Sequence, residues 1–176
     1  MIEKPDHTYC FCVDFRKLNQ ISVTDSYPLA RVDDFLESLG SARAKIFSTL
    51  GLESGYWQCD LEPSSKHLSA FTTYEGLYQF ERMPFGLKNA PATFSRLMAS
   101  VLRGVIWKIC LVFLDDIIIY SESFTEHLDR LRLVFDRLRE ANLRLKPRKC
   151  HFGKEKIKFL GHYVSARGIE ALPETC

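Results

Sequence analysis

Ile109-Cys110-Leu111-Val112-Phe113-Leu114-Asp115-Asp116-Ile117-Ile118-Ile119-Tyr120 is the stretch on which the fold turns. Two apolar runs rich in Val and Ile read as buried strands, and the acidic pair between them reads as the turn of a hairpin. Asp115 and Asp116 would then sit side by side at the hairpin tip with apolar walls behind them. Like charges that close repel, so the pair needs water or a cation. Magnesium, a hard ion that prefers oxygen ligands, would suit it. On this stretch alone a solvated turn on an ordinary hairpin is the simpler account.

The flanking blocks describe an α+β chain. Tyr9 to Asn19 starts with alternating apolar residues and turns polar, a strand then a loop, with Asp14 and Arg16 on one strand face and able to pair. Ser26 to Gly40 reads as a helix capped by Ser26, with Pro28 in its first turn, Gly40 at its stop and Leu29, Val32, Leu36 and Leu39 as its apolar face. Ala44 to Gln58 reads as a strand that breaks near Gly51 and Gly55, where glycine marks a bulge or a close approach. Phe71 to Phe85 is a hairpin turning near Glu75-Gly76. After it, Asn89 caps a helix whose core stripe is Phe94, Leu97, Met98, Val101 and Leu102.

Beyond the acidic hairpin, Ser123 and Glu126 form a capping box for a helix carrying Leu128, Leu131, Phe135 and Leu138, ending at Asn142. His127 lies beside that stripe and reads as a satisfied, half-buried histidine. Leu143 to Phe152 and Lys156 to Ser165 read as short basic strands. The expected class is α+β, helices packed on an antiparallel sheet.

Composition narrows the function. The 176 residues are 46% hydrophobic and 26% charged, values of a water-soluble globular chain long enough for a real core. No apolar run is long enough to span a membrane and no secretory pattern is visible, so the expected setting is intracellular, cytoplasmic or nuclear. The six cysteines show no disulfide framework and read as free thiols. Cys150, His151 and His162 fit no zinc spacing. The net charge of +2 is uneven: Arg137 to Lys158 holds nine Lys or Arg against two Glu. Such a block could track a phosphate backbone, or simply be a solvated face.

Taken in order, several motifs resemble the reverse transcriptases of gypsy-type LTR retrotransposons and, more distantly, of retroviruses. They are Phe11-Cys-Val-Asp-Phe-Arg-Lys-Leu-Asn19, Asp25-Ser-Tyr-Pro-Leu29, Phe47-Ser-Thr-Leu50 with Ser54-Gly-Tyr-Trp-Gln58, Arg82-Met-Pro-Phe-Gly-Leu-Lys-Asn-Ala-Pro-Ala-Thr-Phe94, Phe113-Leu-Asp-Asp116, Leu145-Lys-Pro-Arg-Lys-Cys-His-Phe152 and Phe159-Leu-Gly-His162. The resemblance implies the fingers and palm of a right-hand polymerase, with residues 1–22 and 61–84 as fingers and 23–60 and 85–172 as palm. It also implies a fragment of a Pol polyprotein, with thumb, RNase H and integrase outside it.

The implied chemistry is RNA-directed DNA synthesis, a template-directed nucleotidyl transfer in which two magnesium ions about 3.5–4 Å apart stabilise the attacking and leaving oxygens. The implied partners are a primed RNA or DNA template and deoxynucleoside triphosphates, with no membrane. By resemblance Asp115 and Asp116 are catalytic metal ligands, and Leu52 reaches a metal through its backbone carbonyl. Tyr56, Phe85 and Gly86 contact the nucleotide, and Phe159, Leu160, Gly161 and His162 grip the primer.

Two positions depart from the family. Gly51 stands where the family has its third metal-binding Asp, which leaves ligands for two ions or only one. Glu53 is about 6.6 Å further along a strand, too far to replace it. Cys10 stands where the family has a triphosphate-binding Arg, and cysteine offers neither charge nor forked donors. Loss of the ligand at Gly51 by itself is expected to slow the transfer step a thousandfold or more, on the order of 4 kcal/mol. The alternatives are a catalytically dead nucleic-acid-binding module and a non-functional relic of an element.

Overall fold

The computed structural model describes residues 2–3 and 9–172, with side chains described from residue 11. The elements in chain order are β1 (Ile2–Glu3), β2 (Tyr9–Cys10), α1 (Arg16–Ile21), α2 (Val32–Ser41), β3 (Ile46–Gly51), β4 (Phe71–Thr73), β5 (Gly76–Tyr78) and α3 (Ala90–Val101). They continue with β6 (Cys110–Phe113), β7 (Asp116–Ser121), α4 (Phe124–Glu140), β8 (His151–Lys154), β9 (Lys156–Phe159), β10 (His162–Ser165) and β11 (Gly168–Ala171). Short 3₁₀ turns lie at Gly55–Gln58, Pro63–Ser69 and Pro147–Lys149. The chain forms two compact units, one of residues up to Tyr27 with Ser54–Phe94, the other of Pro28–Glu53 with Ser95 onward.

In the first unit, β4 and β5 pair antiparallel around a turn at Tyr74-Glu75. Phe71 anchors this hairpin with ring centroids 5.2 Å from Phe11 and 5.3 Å from Phe80. Asn89 does more than precede α3. Its amide donates to the Val23 carbonyl at 2.8 Å and its oxygen accepts from the Asp25 amide at 3.0 Å. Residues 16–21 are helical, not the expected loop, and Asp14 and Arg16 do not share a strand face. Asp14 accepts the Arg16 backbone N–H at 3.0 Å, an Asx-type turn ahead of α1, and pairs with the guanidinium at 2.6 Å.

The second unit is built on an antiparallel sheet of order β6-β7-β3-β8 beside a three-stranded sheet β11-β10-β9. Ile117, Ile118 and Ile119 are all fully buried. That is why their run shows no polar alternation: both faces of β7 are covered. On one face a core joins Phe35 and Leu39 of α2, Phe47, Leu111 and Ile118 of the sheet, and Ile157, Phe159 and Val164 of β9 and β10. On the other, α4 contacts β7 and β3 and buries Leu131, Val134 and Leu138. Each such side chain contributes about 1.5–3 kcal/mol.

Several boundaries differ from the sequence expectation. α2 begins at Val32, after Arg31, whose backbone N–H donates to Asp34 at 3.2 Å. Ser26 does not cap it, because Asp25 accepts the Tyr27 N–H at 3.0 Å and holds the chain in a local turn ahead of Pro28. Leu29 is therefore about half exposed and Phe35 takes the core position instead. Leu143 to Cys150 is not a strand, since Pro147 starts a 3₁₀ turn and β8 covers only His151–Lys154. Asn142, in the left-handed region at φ 55°, ends α4 as expected.

Candidate active site

Three strand ends meet at one end of the four-stranded sheet. Asp116 opens β7 and is paired on one side with Phe113, the last residue of β6, and on the other with Gly51, the last of β3. The hairpin turn is Leu114-Asp115, not Asp115-Asp116, because Phe113 and Asp116 are cross-strand partners. Leu114 pays with a left-handed φ of 50°, an uncommon conformation for a branched side chain. The Asp115 carbonyl accepts the Leu52 N–H at 2.9 Å. Asp115, Asp116, Gly51 and Leu52 are thus brought together.

The carboxyls differ in setting. Asp116 is exposed as a residue, yet desolvation on its protein side raises its pKa above the ordinary value, and the charge of Lys149 opposes that rise. Gly51 is buried and carries no side chain to join them. A Cβ placed on it would lie 2.4 Å from Cβ and 2.8 Å from Cδ of Lys149. Two carboxylates beside a third position without a side chain do not fit a two-ion centre. Among the described residues no group of three or more His, Cys, Asp or Glu could hold a metal ion. Glu53 lies beyond the end of β3, and its N–H donates to the Arg144 carbonyl at 3.0 Å.

Tyr56, Phe85 and Gly86 come together in the first unit. The Tyr56 ring lies 5.3 Å from Phe85 and 5.6 Å from Phe94. Gly86 sits at φ +93°, where an L side chain is strained. Asn19 pins this loop from both sides: its amide donates to the Gly86 carbonyl and its oxygen accepts the Lys88 N–H, both at 2.8 Å. Phe159, Leu160, Gly161 and His162 join β9 to β10 through a two-residue turn with left-handed φ at Leu160 and Gly161 (46° and 76°). Phe159 is buried against Phe35, and the His162 Nδ1–H donates to the Leu160 carbonyl at 2.9 Å.

Cys10 lies in β2 opposite Ile2, but its side chain is outside the described ones. Cys12, Cys59, Cys110 and Cys150 are thiols, not disulfides. His151 meets Thr49 at 3.4 Å and His162 stays on its own turn, so neither joins Cys150 in a zinc site.

One neighbour of the site was not anticipated: Lys149, whose proximity to Gly51 leaves no local trace in the sequence. His127, expected to be satisfied and half-buried, is satisfied and fully buried. The Gly153 N–H donates to Ser48 Oγ at 3.0 Å, and the Ser48 hydroxyl donates to His127 Nε2 at 2.6 Å. His127 Nδ1–H donates to Ser121 Oγ at 2.8 Å, and the Ser121 hydroxyl donates to the Ser123 carbonyl at 3.1 Å. This assignment satisfies every partner with a neutral imidazole. The available signal was the hydroxyls of Ser48, Thr49 and Ser121 inside strands otherwise destined for burial.

Comparison with known proteins follows the same lines. Residues 2–164 match the family model described as reverse transcriptase (RNA-dependent DNA polymerase). The chain is 46% identical over 97% of its length to the retrovirus-related Pol polyprotein from transposon 297 of Drosophila melanogaster, covering 16% of that protein. It is 41% identical over 92% of its length to the Pol polyprotein from transposon gypsy of the same organism, again covering 16%. Among solved structures, the foamy viral protease-reverse transcriptase in complex with RNA/DNA hybrid superposes with a TM-score of 0.86 at 27% identity, over 98% of this chain and 23% of the other. The chain thus spans about a sixth of the Pol polyproteins it matches.

Proposed function

The chain belongs to the reverse transcriptase (RNA-dependent DNA polymerase) family, and from that premise we propose that it binds primed nucleic-acid template while its nucleotidyl-transfer step is impaired. In this reading residues 1–22 and 61–84 are fingers and 23–60 and 85–172 palm, so the first compact unit holds the fingers together with 23–27, 54–60 and 85–94 of the palm. Membership of the family implies divalent-metal chemistry in general. The carrying observation is that Asp115, Asp116 and Gly51 meet at one sheet end with only two carboxylates among them.

Binding does not depend on that third carboxylate. The exposed Arg144, Arg148, Lys149, Lys154, Lys156 and Lys158 offer positive charge in the second unit, where counterion release would drive association with a phosphate backbone. The solved relative named above holds an RNA/DNA hybrid, which makes that duplex the first substrate to try. Tyr56, Phe85 and Gly86 are assigned to the nucleotide side, and Phe159 to His162 to the primer terminus. The side-chain position of Gly51 would have to supply the missing ligand for transfer at a family rate. Its loss, with Cys10 in place of a triphosphate-binding Arg, is expected to slow transfer a thousandfold or more, on the order of 4 kcal/mol.

The test is fluorescence anisotropy of a labelled RNA/DNA hybrid titrated with this chain at several salt concentrations. The reading expects binding whose logarithm falls linearly with the logarithm of salt, and a shallower slope for Lys156→Gln/Lys158→Gln. Salt-independent binding, or none at low salt, overturns it.

A further inference from the structure

We propose that the first unit carries a binding site for a small aromatic carboxylate, in a cavity walled by leucines with hydrogen-bond donors on its polar side. Leu18 of α1, Leu61, Leu68 and Leu87 form the apolar wall, and Ser65 and Lys88 supply the donors. All six residues belong to the first unit, away from the acidic pair and Gly51 in the second. The proposal therefore stands apart from the reading of the transfer site.

Size sets the first limit on the occupant. The cavity holds about 170 Å³. A cavity of about 150 Å³ lined by Leu, Ile and Phe is enough to take one benzene ring. Leu68 lines the space while remaining about half exposed, so the cavity opens to solvent on that side. Its frame is fastened. The Asn19 amide donates to the Gly86 carbonyl and its oxygen accepts the Lys88 N–H, while Asn89 bonds the Val23 carbonyl and the Asp25 N–H. These four bonds hold α1 and the segment after it against residues 86–89, and keep the space between them from collapsing.

The hydrogen-bond inventory sets the charge. The amides of Asn19 and Asn89 are committed at both ends by the bonds just given. Ser22 Oγ donates to the Leu18 carbonyl at 2.7 Å. Ser69 Oγ donates to the Lys66 carbonyl at 2.6 Å and accepts the Phe80 N–H at 3.0 Å. What remains is a surplus of donors. Among the described residues the Ser65 hydroxyl has no partner, and the Lys88 ammonium, with three hydrogens to give, meets the Ser22 carbonyl at 3.3 Å. No Asp or Glu is among the described residues lining the cavity. A carboxylate accepts from both donors and neutralises the lysine, in charge-assisted bonds about twice as strong as neutral ones. An apolar ring behind it covers the leucines, so both halves of the ligand are matched.

The test is a titration of the full chain with benzoate, followed by methyl NMR, with benzyl alcohol as the neutral counterpart. Benzoate is expected to bind saturably with a dissociation constant on the order of 1 mM, as suits so small a ligand. Its ring protons should show Overhauser contacts to methyls of Leu18, Leu61, Leu68 or Leu87. Lys88→Gln changes an exposed side chain and keeps the fold. It should weaken benzoate about tenfold and leave benzyl alcohol within about twofold. Ser65→Phe fills the cavity from its own wall and should abolish binding of both, with urea unfolding confirming a folded chain.

Absence of saturable shifts, or contacts only to other methyls, overturns the proposal. So does benzoate binding to Lys88→Gln as tightly as to the parent, or benzyl alcohol binding the parent as tightly as benzoate. Displacement of benzoate by deoxyadenosine monophosphate at a lower concentration also overturns it, because a nucleotide exceeds the cavity and the space would then be the edge of a larger nucleotide site. The titration involves neither metal nor nucleic acid, so hybrid binding can stand while this proposal falls, or the reverse.

Discussion

Replacing His127 with Leu should destabilise the second unit more than most single substitutions in this chain. The imidazole is fully buried and is the centre of a hydrogen-bond chain from the Gly153 N–H to the Ser123 carbonyl. Leu is of similar bulk, so the cavity term is small. It leaves the Ser48 hydroxyl without an acceptor and removes a donor from Ser121. An unsatisfied buried polar group costs about 1–3 kcal/mol, which puts the variant about 2–4 kcal/mol below the parent. Against a typical stability of about 5–15 kcal/mol this is readily measured by urea unfolding.

The same residue has a pH signature. Burial pushes the His127 pKa below its ordinary 6.5, with the Arg130 charge adding to the effect and Glu126 opposing it. The unfolded chain therefore takes up a proton at 127 before the folded chain does. Stability from this residue is fully present above pH 6.5 and declines as pH falls below it, down to the depressed folded pKa. The parent should lose stability between pH 7.5 and 5.5 more steeply than His127→Leu. A variant within about 1 kcal/mol of the parent, or two identical pH slopes, would refute the assigned network.

Other perturbations are simpler. Asn89→Ala removes two side-chain bonds to the Val23–Asp25 segment, and should cost about 1–2 kcal/mol in a urea titration. Ser123→Ala, which loses the acceptor of the Glu126 N–H at 3.3 Å, should cost about 1 kcal/mol by the same measurement. Leu111→Ala opens a cavity in a fully buried position and should cost about 2–5 kcal/mol. The Arg16 guanidinium beside Asp14 holds that carboxyl at about 2, so carbon-detected NMR titration should show it ionised where other aspartates are protonated, and Arg16→Gln should move it back toward 3.8.

The strongly patterned segments were legible. The run Ile117 to Tyr120 announced a strand buried on both faces, Ser123 with Glu126 announced the start of α4, and Asn89 announced α3. Misplaced features had local competitors. Asp25 captured the Tyr27 N–H and delayed α2, and Asp14 turned the residues after it into a short helix. The hairpin tip shifted by one residue because register, not charge, decides which residues occupy the turn: Phe113 pairs with Asp116 and leaves Leu114 and Asp115 to reverse the chain. The approach of Lys149 to Gly51 was out of reach for a different reason. It joins positions nearly a hundred residues apart through a 3₁₀ turn whose path depends on Pro147 and on bonds to β3, and no periodicity encodes such a meeting.

The measurement that reaches the central claim most directly is single-turnover incorporation of one deoxynucleotide on a saturating primed RNA template in Mg²⁺, with the bound fraction read from the same samples. The account predicts hybrid largely bound and extension at least a thousandfold slower than by an intact relative assayed alongside. Extension by this chain at a rate within tenfold of that relative would contradict it, and would mean that Gly51 and Cys10 do not disable the site.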